Sequence, residues 1–165
     1  MANANDRPIE FCDEYGRPTD ERGQLTTQLV PEHDAVTIGE NLMEAGLFTD
    51  LREHCERYTD EYAENASLWR LQGIAHASTG NAMAARMSFL TALQFDPLEP
   101  YTLSNCVVSC IDAGDKGSAF QLLEQVFEEL DGEGRRVVLM ALLKTIRAGL
   151  LTEEELPAAV KAELG

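Results

Sequence analysis

The groups able to do chemistry in this chain are few, and their spacing does not bring them together. His33, His54 and His76 fall on three different stretches of helical periodicity. The four cysteines, Cys12, Cys55, Cys106 and Cys110, are irregularly placed. Cys106 and Cys110 stand four apart on one expected helix, with the nearest histidines on other helices, so they read as small buried apolar side chains and not as a metal site or disulfide framework. His76 lies at a core spacing and reads as a packed histidine. No nucleophile elbow, glycine-rich phosphate loop or His-Glu-x-x-His pair occurs. These absences predict a protein that is not an enzyme, with no cofactor and no metal.

What remains is binding. The 165 residues carry 29 acidic and 13 basic side chains, a formal charge of −16. Such a surface repels phosphate backbones and anionic membranes, which argues against nucleic acid or direct membrane binding and favours basic partners, or an apolar segment in a basic context. Residues 1–65 hold 16 acids and 5 bases (−11), and residues 66–165 hold 13 and 8 (−5), so the acidity is concentrated towards the N-terminus. With no run of 18 apolar residues and no basic-then-apolar leader, a cytoplasmic location is expected.

The elements that must carry a binding surface show a period of 34. Gly39, Gly73, Val107 and Ala141 form one series at that step. Gly46, Gly80, Gly114 and Ala148 form a second, Ala35, Trp69, Leu103 and Val137 a third, and Leu51, Ala85 and Ala119 a fourth. Helical periodicity occupies 33–45, 50–61, 66–79, 82–95, 100–113 and 116–130. Thr49, Asn65 and Asn81 read as N-caps. Gly46, Gly80 and Gly114 read as left-handed helix terminators, and Asp96-Pro97 as a stop. Each unit is then an antiparallel helical hairpin. Gly73 is expected to face Ala85 and Phe89, Gly39 to face Leu51 and Cys55, and Trp69 to fill the wedge between units.

Units are expected at 32–65, 66–99 and 100–133, with an atypical cap at 134–165. In the cap, Thr152 to Glu155 reads as a capping box with Leu151 and Leu156 as a hydrophobic staple. Pro157 leaves two alternatives: a separate turn with the last helix beginning at Pro157, or a kinked helix. Residues 1–31, with Pro8, Pro18 and Pro31, read as a largely flexible arm. Ile9, Phe11 and Tyr15 are candidate anchors there, and Leu25 and Leu29 fit one face of a short helix.

Trp69, Gly73, Gly80, Ala85, Phe89, Ala92 and Pro97 resemble the tetratricopeptide repeat, over about residues 32–131. The first unit departs with Ala35 for the tryptophan and Ala63 for the proline, and the third with Leu103, Val107 and Asp131. Leu42, His76 and Cys110 replace the usual first-helix tyrosine. The resemblance implies an all-α fold, a right-handed superhelix of helical hairpins with a C-terminal capping helix. Three repeats, an arm, a cap and strong acidity, with Gly46-Leu47-Phe48, Cys55, Tyr58, Gly73, Gly80 and Asp96-Pro97, further resemble the chaperones of type III secretion translocator proteins. That family implies a concave face holding an extended, partly apolar client segment, and a homodimer through the N-terminal arm.

The first helices would line that face. The candidate peptide-binding residues are Val36, Glu40 and Met43; Arg70, Ile74 and Ala77; and Tyr101, Ser104, Asn105, Val108 and Ile111. His33, Glu44, Ser67, Ser78 and Asp112 lie at their edges, and Arg135, Val138, Leu142 and Thr145 further round. Arg70 and Asn105 are the only residues of the first three units suited to capturing a C-terminal carboxylate, against Glu40, Glu44 and Asp112, so such capture is not expected. The alternative function is a repeat scaffold or regulatory subunit for a folded partner.

Overall fold

The computed structural model describes residues 9–164; Pro8 and the start of the arm lie outside them. Eight α-helices follow: α1 (Glu32–Glu44), α2 (Phe48–Glu61), α3 (Ala66–Ser78), α4 (Ala82–Phe95), α5 (Pro100–Asp112), α6 (Lys116–Val126), α7 (Gly132–Arg147) and α8 (Ala158–Leu164). Short 3-10 turns stand at Phe127–Glu129 and Glu153–Glu155, so the helix read to residue 130 ends early. Among the described residues there is no strand, only two isolated bridges in the arm. The fold is all-α.

Helices pack on their sequence neighbours from α1 to α6, and the odd-numbered ones also pack on each other, α1 on α3, α3 on α5 and α5 on α7. Because α5 touches α3, α4, α6 and α7, eight of its 13 residues are buried.

The turn after each odd helix explains the period. Gly46, Gly80, Gly114 and Gly149 all have φ between 71° and 81°, a left-handed geometry that a Cβ would strain. The amide after each glycine bonds back to a carbonyl five residues earlier, Leu47 to Leu42, Asn81 to His76, Asp115 to Cys110 and Leu150 to Thr145, the Schellman arrangement. In three of these turns the residue after glycine is also the N-cap of the next helix. Asn81 accepts from the Ala84 amide and Asp115 from the Ser118 amide, while Leu47 has no side chain to accept with. The turn register therefore places Thr49 inside α2 and removes it as a cap. Asn65 caps α3 as read, and Asp131 caps α7 through the Gly134 amide.

The packing expected at Gly39 holds for Leu51 and needs correction for the rest. An added Cβ on Gly39 would meet Leu71 of α3 at 2.8 Å, before Leu51 at 3.6 Å, and Cys55 is not among its three nearest neighbours. Trp69 is half-buried beside the fully buried Leu68, and its indole N–H donates to the Ala63 carbonyl at 2.7 Å, drawing the ring towards the α2–α3 loop.

Both ends of the array are covered. At the C-terminus, Thr152 and Glu155 form the capping box, Leu151, Leu156 and Val160 are buried, and α8 starts just after Pro157, whose carbonyl accepts from the Lys161 amide. The separate-turn alternative is the one observed. At the N-terminus, residues 9–30 wrap back on α1 and α2. Two similar turns, Asp13-Glu-Tyr-Gly16 and Asp20-Glu-Arg-Gly23, are each closed by an aspartate accepting from backbone amides. Antiparallel bonding at Thr19 and Thr26 replaces the short helix expected at Leu25 and Leu29. Arg17 bridges Asp13 and Asp50 of α2. The Val30 amide donates to the Tyr58 hydroxyl, and the Tyr62 hydroxyl donates to the Val30 carbonyl. Ile9 and Tyr15 pack on the α1–α3 core, while Phe11 stays exposed. Terminal covers of this kind occlude apolar faces that a further repeat would otherwise bury.

Candidate functional site

A cleft of about 610 Å³ lies between α5 and α7. Tyr101, Ser104, Asn105, Val108 and Asp112 supply the α5 wall. Glu133, Arg136, Val137, Met140, Ala141, Lys144 and Thr145 supply the α7 wall, and Ala148 and Leu150 close one end. A second groove of about 310 Å³ continues from it through the shared Asn105, Val108 and Asp112 to Ile74, Ala77 and Ser78 of α3, with Phe89 and Ser109 beneath. The two form one trough across α3, α5 and α7.

The trough combines apolar exposure with charge. Tyr101 is 60% exposed, Met140 50% and Leu150 47%, so large apolar side chains are displayed where other residues of these helices are packed. The Ser104 hydroxyl turns back to the Tyr101 carbonyl and is not directed outward.

Of the residues expected to bind peptide, Tyr101, Ser104, Asn105, Val108, Ile74 and Ala77 are brought together in the trough. The α1 candidates are not part of it. Val36 and Met43 pack against the N-terminal core, and Glu40 pairs with Arg70 at 3.7 Å, tying α1 to α3. Ile111 is buried in the C-terminal core at 5% exposure, because α5 is enclosed on several sides.

Of the α7 expectations Thr145 lines the trough, and the other three are out of phase. Val138 and Leu142 are fully buried, and Arg135 turns away to donate to Glu163 and to the Glu128 carbonyl while lying over Phe127. Gly149 closes α7 35 residues after Gly114, not 34. The same 35-residue step carries the buried Leu103, Val107 and Cys110 onto the buried Val138, Leu142 and Thr145. One additional residue between these helices rotates the faces, so Arg136, Met140 and Lys144 reach the trough. Gly149 was the sequence signal for this shift.

The remaining reactive groups lie elsewhere. His54, not His76, is the buried histidine, with Nε2 2.7 Å from the Ala35 carbonyl. His76 is half-buried, with Arg52 and Glu56 of α2 as its charged surroundings; partial burial is the main cause lowering its pKa. Cys55, Cys106 and Cys110 are buried free thiols, as read for Cys106 and Cys110, whereas Cys12 is exposed. Burial pushes Cys55 up to about 12. A hydrogen bond between Cys106 and Cys110 raises the former and lowers the latter. Among the described residues no group of three histidine, cysteine or acidic side chains could hold a metal ion, and no helix is long and apolar enough to cross a membrane.

Comparison with known proteins adds no relative: no protein-family model matches the chain, and no curated protein matches it.

Proposed function

We propose that the chain is a tetratricopeptide-like repeat protein that holds an extended, partly apolar segment of another polypeptide in the α3–α5–α7 trough. In this reading it is a chaperone keeping a secreted translocator protein soluble before export. The observation that carries the reading is the trough itself: an open, elongated groove in which Tyr101, Met140 and Leu150 stay exposed beside Val108. Contiguous exposed apolar side chains rimmed by polar ones fit a protein partner, and an elongated groove suits an extended segment better than a compact small molecule. The repeated glycine turns and the Gly73–Phe89 contact support the tetratricopeptide-like architecture. The chaperone role rests on the size, the three-unit layout with a cap and the acidity.

The test is co-expression with the product of the adjacent reading frame. The chaperone reading expects that product to become soluble and co-purify, and expects Tyr101→Ala to return it to the insoluble fraction. An adjacent product that stays insoluble with the parent chain sinks the reading.

One observation favours a scaffold for a folded partner. Met83, Met87 and Phe95 lie on one four-residue ridge of α4 and are 62%, 55% and 44% exposed. A flat apolar ridge suits a folded surface better than a strand, and substitutions there separate the two readings.

A further inference from the structure

The trough has a charged wall opposite in sign to the protein as a whole. Within α7, Arg135, Arg136, Lys144 and Arg147 stand against Glu133 alone, in a chain of net charge −16. Arg135 is held by Glu163 on the far side. Arg136 and Lys144 line the trough with Met140 between them. The ion pair of Arg136 with Glu133 spans 3.6 Å, with both side chains more than 70% exposed, a pairing that costs little to exchange for another carboxylate. Lys144 has no ion-pair partner among the described residues.

These three side chains follow one another at four-residue steps. At 1.5 Å per residue each step advances about 6 Å along the helix. Side chains on one face of an extended strand recur about every 6.6 Å, two residues at 3.3 Å. A strand lying along α7 therefore sets three successive same-face side chains against Arg136, Met140 and Lys144. Its other face is left for Tyr101 and Val108, and Asp112 at the same end as Lys144 disfavours a carboxylate on the α5 side.

We propose that the trough selects an extended segment in which an apolar residue is flanked, two positions away on each side, by carboxylates that meet Arg136 and Lys144. The proposal rests on the reading of the trough as a client-binding groove and adds the chemistry of the client. It replaces the basic partner that net charge alone suggests, because local charge at the contact, not the sum over the surface, sets which segment is held.

The experiment uses short peptides, acetylated and amidated so that no terminal carboxylate contributes. Their cores are Glu-Ala-Leu-Ala-Glu, Gln-Ala-Leu-Ala-Gln and Lys-Ala-Leu-Ala-Lys, titrated by fluorescence anisotropy against the parent and an Arg136→Glu/Lys144→Glu double variant. Both substituted side chains are exposed, and circular dichroism checks that the helices are retained. The parent is expected to bind the Glu peptide at least about tenfold more tightly than the Lys peptide, with Gln between them, and the double variant to reverse the order. A Glu-Leu-Glu core, which turns both carboxylates to the face opposite the leucine, is expected to bind no better than the Gln peptide. Equal affinity of the parent for the Glu and Gln peptides overturns the carboxylate selection while leaving an apolar groove intact. An unchanged order in the double variant also overturns it. Binding of none of the peptides overturns both the selection and the client-binding reading.

Discussion

Gly73 of α3 lies against the ring of Phe89 of α4 so closely that a Cβ at Gly73 would stand 2.5 Å from Phe89 Cε1 and within 2.8 Å of two further ring atoms. Glycine in a helix interior costs about 1 kcal/mol relative to alanine, and here it admits a phenylalanine that is 1% exposed. Overpacking costs about 1–3 kcal/mol, which outweighs the helix propensity an alanine would gain. Gly73→Ala is therefore expected to lower stability in chemical denaturation, and Phe89→Ala to lower it by about 3–5 kcal/mol. Combining Gly73→Ala with Phe89→Leu should cost less than the sum of the two single changes. Simple additivity would show that the two residues do not share the contact.

Thiol chemistry should divide the cysteines by exposure. Cys12 is accessible, while Cys55, Cys106 and Cys110 are buried. A disulfide reagent at mildly alkaline pH should titrate one thiol quickly, and Cys12→Ser should remove that phase. The other three should react only as the helices open. A second fast thiol in the Cys12→Ser variant would contradict the packing of α2 or α5.

Acid should weaken the N-terminal half through His54. Its burial, set against the bond to the Ala35 carbonyl and reinforced by repulsion from Arg57 and Arg17, holds the imidazole below 6.5. The unfolded chain therefore takes up this proton first as pH falls. The contribution is complete above about pH 6.5 and is lost between there and the lower folded-state pKa, with a slope of at most about 1.4 kcal/mol per pH unit. His54→Gln, which can still donate to the carbonyl, should flatten denaturation midpoints between about pH 7 and pH 5. Asp115, held low by its bonds from Ser118, and Glu155, held low by its bond from Lys116, add their losses at more acid pH. An unaltered slope in His54→Gln would assign the sensitivity to other groups.

The hairpins were legible because a left-handed glycine leaves a mark at a fixed step, and Gly46, Gly80 and Gly114 are those marks. Asn65 and Asn81 were legible as caps because a short side-chain oxygen before an apolar run has few other uses. Thr49 misled for the same reason: its type suits a cap, but the register of the Gly46 turn makes Leu47 the cap position. The α5 wall of the trough followed from the 34-residue step. The α7 wall, Thr145 apart, did not, because a single added residue rotates a helix by about 100° and the series was extended to Ala148 instead of Gly149. The arm was illegible to periodicity because its turns are held by aspartate side chains and by Arg17, Tyr58 and Tyr62, not by a repeating apolar face.

The central claim, that the trough and not the α4 ridge is the binding surface, is tested most directly by calorimetric titration of the bound segment against Tyr101→Ala and a Met83→Ser/Met87→Ser variant. Tyr101 is 60% exposed, so its truncation removes binding area without opening the core, and aromatic residues are enriched among hot spots. Tyr101→Ala is predicted to weaken binding at least tenfold, about 1.4 kcal/mol, with the helical dichroism unchanged and the α4 variant binding like the parent. Parent-like affinity in Tyr101→Ala, with binding lost in the α4 variant, would contradict the account and move the partner to the α4 ridge.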